Sequence, residues 1–495
     1  MNGMNRQRYD DDGMHRLPTE CWELIINRIK SYHYLEDLSL ACKEFLSITN
    51  KARRTLRIFN KEIVPLFSKL IRRFSKLKSI HLEGIDGGEL TDLLHQIADS
   101  GLNLQELSIT SSSSPFYKLL PDQLSAALKH LGSNMNCLKI FKCTGWENFC
   151  DEYLFSIADS MPLLEELDIG SDSFGTSVSK NGMKTIAWKH NLKKLRRLDI
   201  SGHRQITCRC LCKYFSYLSL NKLSLLHSLW DINFDFVFRN YPDLVSLKLG
   251  KIPLPINIES LAFARSLQEL EFYSIVFSYE SCSSIAQARL PLRKFVLSNC
   301  QFWSFGSFFS LLASYPSLES LQLENNLLGF CIGGVENKMS DLYQKFRNLR
   351  YLNLVGGDDN VCRGCGNVLI TSSTFYTLAN NCPLLTVLEM KRMGLAKQQA
   401  SSSINNSTID VEGSVKSHDH IQFLNLSMNE FLDDELLEKL TLICPNLEFL
   451  HVAGCPKLTE GGISKVLNYS SKRKILKKWF SNMECSWRVH ISSTL

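Results

Sequence analysis

A hexapeptide pattern, Leu-x-x-Leu-x-Leu, recurs along most of this 495-residue chain and leaves few architectures open to it. It reads Leu164-Glu165-Glu166-Leu167-Asp168-Ile169, then Leu195-Arg196-Arg197-Leu198-Asp199-Ile200. It returns as Leu318-Glu319-Ser320-Leu321-Gln322-Leu323 and Leu349-Arg350-Tyr351-Leu352-Asn353-Leu354. Counted from the first apolar residue, copies start at 77, 104, 138, 164, 195, 220, 244, 267, 292, 318, 349, 385, 421 and 447. Their mean spacing is about 28 residues, and self-similarity at such a period marks a stacked array. Several copies are preceded by an X-Pro pair: Met161-Pro162, Tyr241-Pro242, Tyr315-Pro316, Cys382-Pro383 and Cys444-Pro445. Proline suits that place because it ends a helix and favours extended backbone before it. The chain reads as a solenoid, in which each unit buries its apolar face only against its neighbours.

The period falls within the roughly 20–29 residues of leucine-rich repeats. The expected fold class is therefore an α/β solenoid, a horseshoe with a parallel β concave face and a helical convex face. On each strand, side chains alternate, so the second and third apolar positions point into the core and the residues between them point outward. The rest of each copy returns with helical spacing, as in Leu436, Leu437, Leu440 and Ile443. A Cys or Asn follows some strands (Cys300, Asn326, Asn429, Cys455) and is expected, buried, to satisfy loop backbone groups where the chain leaves the sheet.

Charge and cysteine usage narrow the function classes. Net charge is +6 from 56 basic and 50 acidic residues, too balanced to point to nucleic acid as the main partner. No apolar run of about 18 residues occurs and residues 1–13 are polar, so neither a membrane span nor a secretory signal is expected. The 17 cysteines lack framework spacing, which suits reduced thiols in a cytoplasmic or nuclear protein. Cys362-x-x-Cys365 and Cys208-x-Cys210-x-Cys212 have no companion pair at zinc-site spacing, so no metal is expected. No phosphate-binding glycine loop or hydrolase motif occurs, and His203 and His451 read as surface residues, so neither enzyme chemistry nor a cofactor is expected.

The pattern is interrupted at 329–340 and 356–371, both Gly-rich, and at 391–420, whose Ser/Asn-rich composition reads as a mobile loop. After Leu467 it stops: Lys472-Arg473-Lys474 and Lys477-Lys478 precede Trp479, Phe480 and Trp487, giving either an irregular cap for the open end or a disordered tail. At the other end, residues 1–13 read as disordered. Residues 51–76 read as a basic helical linker; ten basic residues between 51 and 78, among them Arg54, Arg57 and Arg73, face Glu62 alone.

Residues 14–50 follow a different rule. Trp22, Ile25, Ile26 and Ile29 share one helical face, and Leu35, Leu38, Cys42 and Phe45 repeat at three, four and three residues. Two or three helices in about 40 residues cannot sustain themselves alone. They must pack on the first repeat as a cap, or on a partner. Leu17-Pro18-x-Glu20, Ile25, Ile29 and Ser39-Leu40-Ala41-Cys42-Lys43-x-Phe45 resemble the F-box, in its Leu-Pro-x-Glu … Ser-Leu-Val-Cys-Lys-x-Trp/Phe form. Ala41 departs from the usual Val, and Tyr34 stands where many members carry an acidic residue. An F-box (14–50) followed by leucine-rich repeats (77–467) resembles the F-box/leucine-rich-repeat proteins, a kind common in plants.

That resemblance implies a non-catalytic substrate receptor of a Skp–cullin–F-box ubiquitin ligase. Leu17, Pro18, Ile25, Leu40, Cys42 and Phe45 would dock a Skp-type adaptor, which brings cullin and RING subunits. The repeats would hold the protein destined for ubiquitination and proteasomal degradation. The alternatives are a repeat scaffold without ligase function, or a hormone co-receptor of the F-box type. The outward column just before the second apolar position reads Glu166, Arg197, Lys222, Ser246, Glu269, Lys294 and Ser320, all polar. It then reads Tyr351, Val387, Phe423 and Phe449, all apolar, and this stripe is the expected substrate contact unless the tail or the 391–420 loop covers it.

Overall fold

The computed structural model describes residues 17–29, 32–59, 61–85, 87–110, 121–146, 149–171, 178–188, 192–203, 205–226, 234–250, 261, 263–328, 342–356, 378, 380–392, 417–429, 432–469, 474–480 and 487–493. The segment 1–13, the insertion 329–340, nearly all of 356–371 with Cys362 and Cys365, and most of 391–420 lie outside these residues. The chain divides into two compact units, one of residues 1–171 with 188–195 and one of 172–187 with 196–495.

The first unit opens with three helices, α1 (Thr19–Arg28), α2 (Tyr32–Ala41) and α3 (Lys43–Ala52). Five parallel strands follow: β1 (Thr55–Ile58), β2 (Ser79–Glu83), β3 (Glu106–Thr110), β4 (Ile140–Thr144) and β5 (Glu166–Asp168). Strand β1 lies within the segment read as a basic linker. Its Leu56 and Ile58 are buried and pair in register with Ile80 and Leu82, so the array begins one repeat earlier than the hexapeptide pattern shows. The basic side chains there brace the join: Arg73 Nε donates to Asn50 Oδ1 at 2.9 Å, and Lys76 meets Glu23 at 3.5 Å. Between strands run the helices Gly87–Ala98, Pro121–Asn134 and Asp151–Ser160. Gly132 lets two of these approach closely, since a Cβ there would collide with Ser160.

The second unit continues the same rule over β6 (Arg197–Asp199), β7 (Lys222–Leu226), β8 (Ser246–Gly250) and β9 (Glu269–Tyr273). Next come β10 (Val276–Phe277), β11 (Lys294–Ser298), β12 (Gln301–Phe302), β13 (Ser320–Glu324), β14 (Leu327–Leu328), β15 (Tyr351–Val355), β16 (Val387–Lys391), β17 (Phe423–Asn425) and β18 (Phe449–His451). Strands β10, β12 and β14 form a separate parallel ladder, while the others join β9 in one parallel sheet. Each of the fourteen sequence copies places its strand start two residues after its first apolar residue.

The three apolar positions of a copy are buried, as Leu349, Leu352 and Leu354 illustrate, and the residue before each strand stitches neighbours together. The Glu319 carbonyl accepts from the Arg350 and Tyr351 amides, and the Arg350 carbonyl from those of Thr386 and Val387. The same bond pair recurs along the repeat strands of each unit, so a constant register lines up equivalent residues of successive copies. Helix Asp434–Ile443 buries Leu437, Leu440 and Ile443, with Asp433 capping its start by accepting from the Leu436 amide at 2.9 Å.

The Cys and Asn side chains after the strands serve as backbone partners. Asn429 Nδ2 donates to the Met390 and Leu426 carbonyls at 2.8 and 2.7 Å, and Asn326 Nδ2 to Leu297 at 2.8 Å. Cys300 and Cys455 point their thiols at the Phe272 and Leu426 carbonyls, at 3.5 and 3.1 Å. His203 corrects the sequence reading. It is fully buried, because it occupies this same position, eight residues after Leu195 as Cys300 is after Leu292.

Among the described residues, the tail after Leu467 is not irregular. Strands β19 (Lys474–Phe480) and β20 (Trp487–Ser493) form an antiparallel hairpin, and β20 adds antiparallel to β18, with His490 opposite Phe449. The backbone thus continues the sheet at its edge, the place where an unpaired strand would template aggregation. No helix among the described residues is long and apolar enough to cross a membrane.

Candidate functional site

Two surfaces combine the features singled out in the sequence. The first is the three-helix module. Pro18 starts α1, its carbonyl accepting from the Cys21 and Trp22 amides. The apolar run from Leu35 to Phe45 is two helices, broken at Cys42, whose extended backbone (φ −158°, ψ 167°) caps α3 and whose sulfur accepts from the Phe45 amide at 3.4 Å. The module's own core is small: Ile26, Ile48 and Ala52 are buried, with Trp22, Ile29, Leu35, Leu38 and Phe45 packed around them.

Of the six residues implied as the adaptor face, five stand outside this core. Leu17 is 46%, Ile25 44% and Leu40 83% exposed, and Pro18 and Cys42 are exposed too. Phe45 instead turns inward and meets Trp22 edge to face, with ring centroids 4.9 Å apart. Helical geometry also separates Ile25 from Trp22, Ile26 and Ile29: its side chain leaves the core face and joins the exposed Leu24. Leu24 and Tyr34, 66% and 47% exposed, are large apolar surface residues that the motif did not mark. Helical projection around Ile26 would have found Leu24.

The second surface is the face of the second unit's sheet that points away from the repeat core. Strict register aligns two outward columns. One runs Arg197, Lys222, Ser246, Glu269, Lys294, Ser320, Tyr351, Val387, Phe423, Phe449. Two residues further along the strands runs Asp199, Ser224, Lys248, Glu271, Val296, Gln322, Asn353, Glu389, Asn425, His451. Only the first column was read from the sequence; the second carries the same two-residue alternation and completes the site.

Over β7–β11 the face is ionic. Glu271, 2% exposed, receives Lys294 Nζ at 2.6 Å, Lys248 Nζ at 3.4 Å and the Tyr273 hydroxyl at 2.8 Å. Burial alone would raise its pKa, but the Lys294 hydrogen bond, both lysine charges and the Tyr273 hydroxyl outweigh it and hold the carboxyl below its usual range. Lys222 meets Glu269 at 3.1 Å. Tyr273 is held protonated by its burial and by the Glu271 charge.

Over β15–β18 the face is apolar in one column and hydrogen-bonded in the other. Tyr351, Val387, Phe423 and Phe449 are half-buried neighbours, and the Phe423 and Phe449 rings stack at 4.5 Å with an 8° interplanar angle. The Tyr351 hydroxyl donates to Glu389 at 2.8 Å, and Asn425 and Lys391 hold the same carboxylate. Burial opposes ionisation of Glu389, but these partners keep its pKa lowered. Asn353 Nδ2 donates to Glu324 at 2.7 Å, while its buried Oδ1 meets no donor among the described residues. His451 is half-buried beside Phe449, at 6.4 Å between ring centroids.

The thiols fit structural duty. Burial pushes Cys282 up to about 11 and Cys300, Cys382 and Cys444 up to about 12, leaving no thiolate at neutral pH. The side chains of Cys208 and Cys212 lie outside the described residues. No cluster of His, Cys, Asp and Glu able to hold a metal occurs among the described residues.

No family model matches this chain, and no curated protein matches it. Among solved structures, a chain of the yeast Rad7–Elc1 complex is similar at 16% identity and a TM-score of 0.43, over 81% of this chain and 91% of that one. A leucine-rich-repeat protein of Leptospira interrogans is similar at 14% identity and a TM-score of 0.33, over 83% of this chain and 97% of that one. The leucine-rich-repeat fold itself is read from the chain's own strand register and core.

Proposed function

We propose that this chain is the substrate-recognition subunit of a Skp–cullin–F-box ubiquitin ligase. Its helical module docks a Skp-type adaptor, and its repeats present the protein to be ubiquitinated and degraded. One observation carries this reading: five of the six residues implied as the adaptor face, Leu17, Pro18, Ile25, Leu40 and Cys42, stand exposed on the module. A cap made only to cover the first repeat would turn its apolar side chains inward. A module with a three-residue buried core that holds large apolar side chains outside is built to complete itself on a partner.

In this reading the chain does no chemistry. Ubiquitin transfer belongs to the cullin-bound RING and conjugating subunits, and the receptor works in the cytoplasm or nucleus, where they act. The test is co-expression of the full chain with a Skp-type adaptor and cullin, followed by affinity capture. Wild type should bring down both. Leu17→Ala with Pro18→Ala should lose them, since interface anchors contribute about 2 kcal/mol or more each. Equal capture by the double variant, or none by wild type, would leave a repeat scaffold as the better account.

A further inference from the structure

The outward sheet face of the second unit divides into two chemically distinct zones, and only one was legible as a stripe. Strands β7–β11 present three lysines, Lys222, Lys248 and Lys294, with side chains 42%, 41% and 33% exposed. Their counter-charges are two carboxylates that sit deeper, Glu269 at 32% and Glu271 at 2%. One positive charge is therefore in excess, and the groups facing outward are ammonium ions lying over a buried anion. Strands β15–β18 then present the Tyr351-to-Phe449 column, with the flat stacked pair at its end. Of the acids near this column, Glu389 is neutralised by Lys391, whereas Glu324 accepts from the neutral donors Asn353 and Ser298 and keeps its charge, which holds an acidic ligand to the Lys248 side of Lys294.

We infer that this face binds an extended peptide segment of a protein partner carrying an acidic group on one side and large apolar side chains on the other. The acidic group sits over Lys294 and Lys248, and the apolar side chains lie along Tyr351, Phe423 and Phe449. Geometry sets the spacing. Lys294 on β11 and Tyr351 on β15 are two strand steps apart, about 10 Å, and Lys248 on β8 is four steps away, about 19 Å. At about 3.3 Å per extended residue, the acidic group stands roughly three to six residues from the first apolar anchor. The required charge can come from Asp or Glu or from a phosphorylated side chain, since both offer oxygens to ammonium donors.

This inference rests on the reading that the repeats receive a protein, and it is independent of the adaptor contact. The test selects a displayed random 12-residue peptide library on the immobilised full chain, with Phe423→Ala/Phe449→Ala as the parallel target. Adaptor capture is measured on the same preparations, so loss of ligase assembly and loss of peptide binding are read apart. Enrichment of Asp or Glu three to six residues from a large apolar residue, absent on the double variant, is the result expected. The enriched peptides should bind about tenfold or more weaker to that variant and lose affinity as salt rises. Lys248→Ala, which leaves Glu271 held by Lys294 and the Tyr273 hydroxyl, should weaken the acidic peptides and leave the fold intact. Synthetic copies with phosphoserine in place of the acidic residue decide the source: tighter binding assigns a phosphorylated partner, and equal or weaker binding a carboxylate. Enrichment of basic peptides, or equal enrichment on wild type and the double variant, overturns the inference.

Discussion

Lys294→Met probes the ionic zone at its centre. Glu271 is almost wholly buried and held by Lys294 at 2.6 Å, Lys248 at 3.4 Å and the Tyr273 hydroxyl at 2.8 Å. Stripping a buried charge of its partner costs about 3–5 kcal/mol. Here Lys248 and Tyr273 remain, and Lys294 is itself 33% exposed, so a loss of about 2 kcal/mol is expected. Adding Glu271→Gln removes the stranded anion, so the double variant should recover part of that loss and show a coupling between the sites. The pH dependence follows from the lowered carboxyl pKa. Its stabilisation is present above the ordinary carboxylate range and is lost as pH falls through the folded-state value. Without Lys294, burial weighs more and the folded pKa climbs, so the loss of stability on acidification that Glu271 contributes should shrink or reverse in the variant. Denaturant unfolding of the full chain at neutral and acidic pH measures both effects. An unchanged midpoint for Lys294→Met, or a double variant whose loss is simply additive, would refute the claim that the carboxylate depends on this lysine.

Phe423→Ala with Phe449→Ala removes a half-exposed stack, so stability should fall by only about 1–3 kcal/mol, with unchanged circular dichroism. Gly250→Ala should destabilise by about 1–3 kcal/mol in thermal unfolding, because its Cβ would approach Leu226, Tyr273 Cβ and the Tyr273 carbonyl at 2.9 Å each, whereas Gly88→Ala has free space and should not. Brief alkylation of the folded chain at pH 8, read by mass spectrometry, should label the exposed Cys42 and Cys137 and spare Cys300, Cys382 and Cys444.

The repeat frame was legible because burying one strand face forces a two-residue alternation, and constant register makes that alternation recur at the same place in every copy. Tyr351, Val387, Phe423 and Phe449 could therefore be aligned from letters alone. Strand β1 was hidden because Thr55-Leu56-Arg57-Ile58 carries only two apolar residues within a basic stretch, which reads equally as a charged helix. His203 was misread because histidine is rare at a position that Cys or Asn fills elsewhere; its place in the repeat, rather than its chemistry, sets its burial. The Lys248–Glu271–Lys294 cluster was missed because these residues stand in two different columns, and only pairing shows that both lysines reach one carboxylate. Ile25 and Phe45 differ from their expected places for a similar reason: helical phase assigns a broad face, and packing against α3 decides which side of it is buried.

In the proposed reading the amino-terminal helices are an unfinished surface that an adaptor completes. Hydrogen exchange of the full chain, alone and with a purified Skp-type adaptor, reads this out. Residues 17–52 should gain protection on binding while the amides of β15–β18 stay unchanged, and Leu40→Ser should abolish the gain without altering exchange in the repeats. Protection appearing in the repeat strands instead, or no change in 17–52 at saturating adaptor, would contradict it.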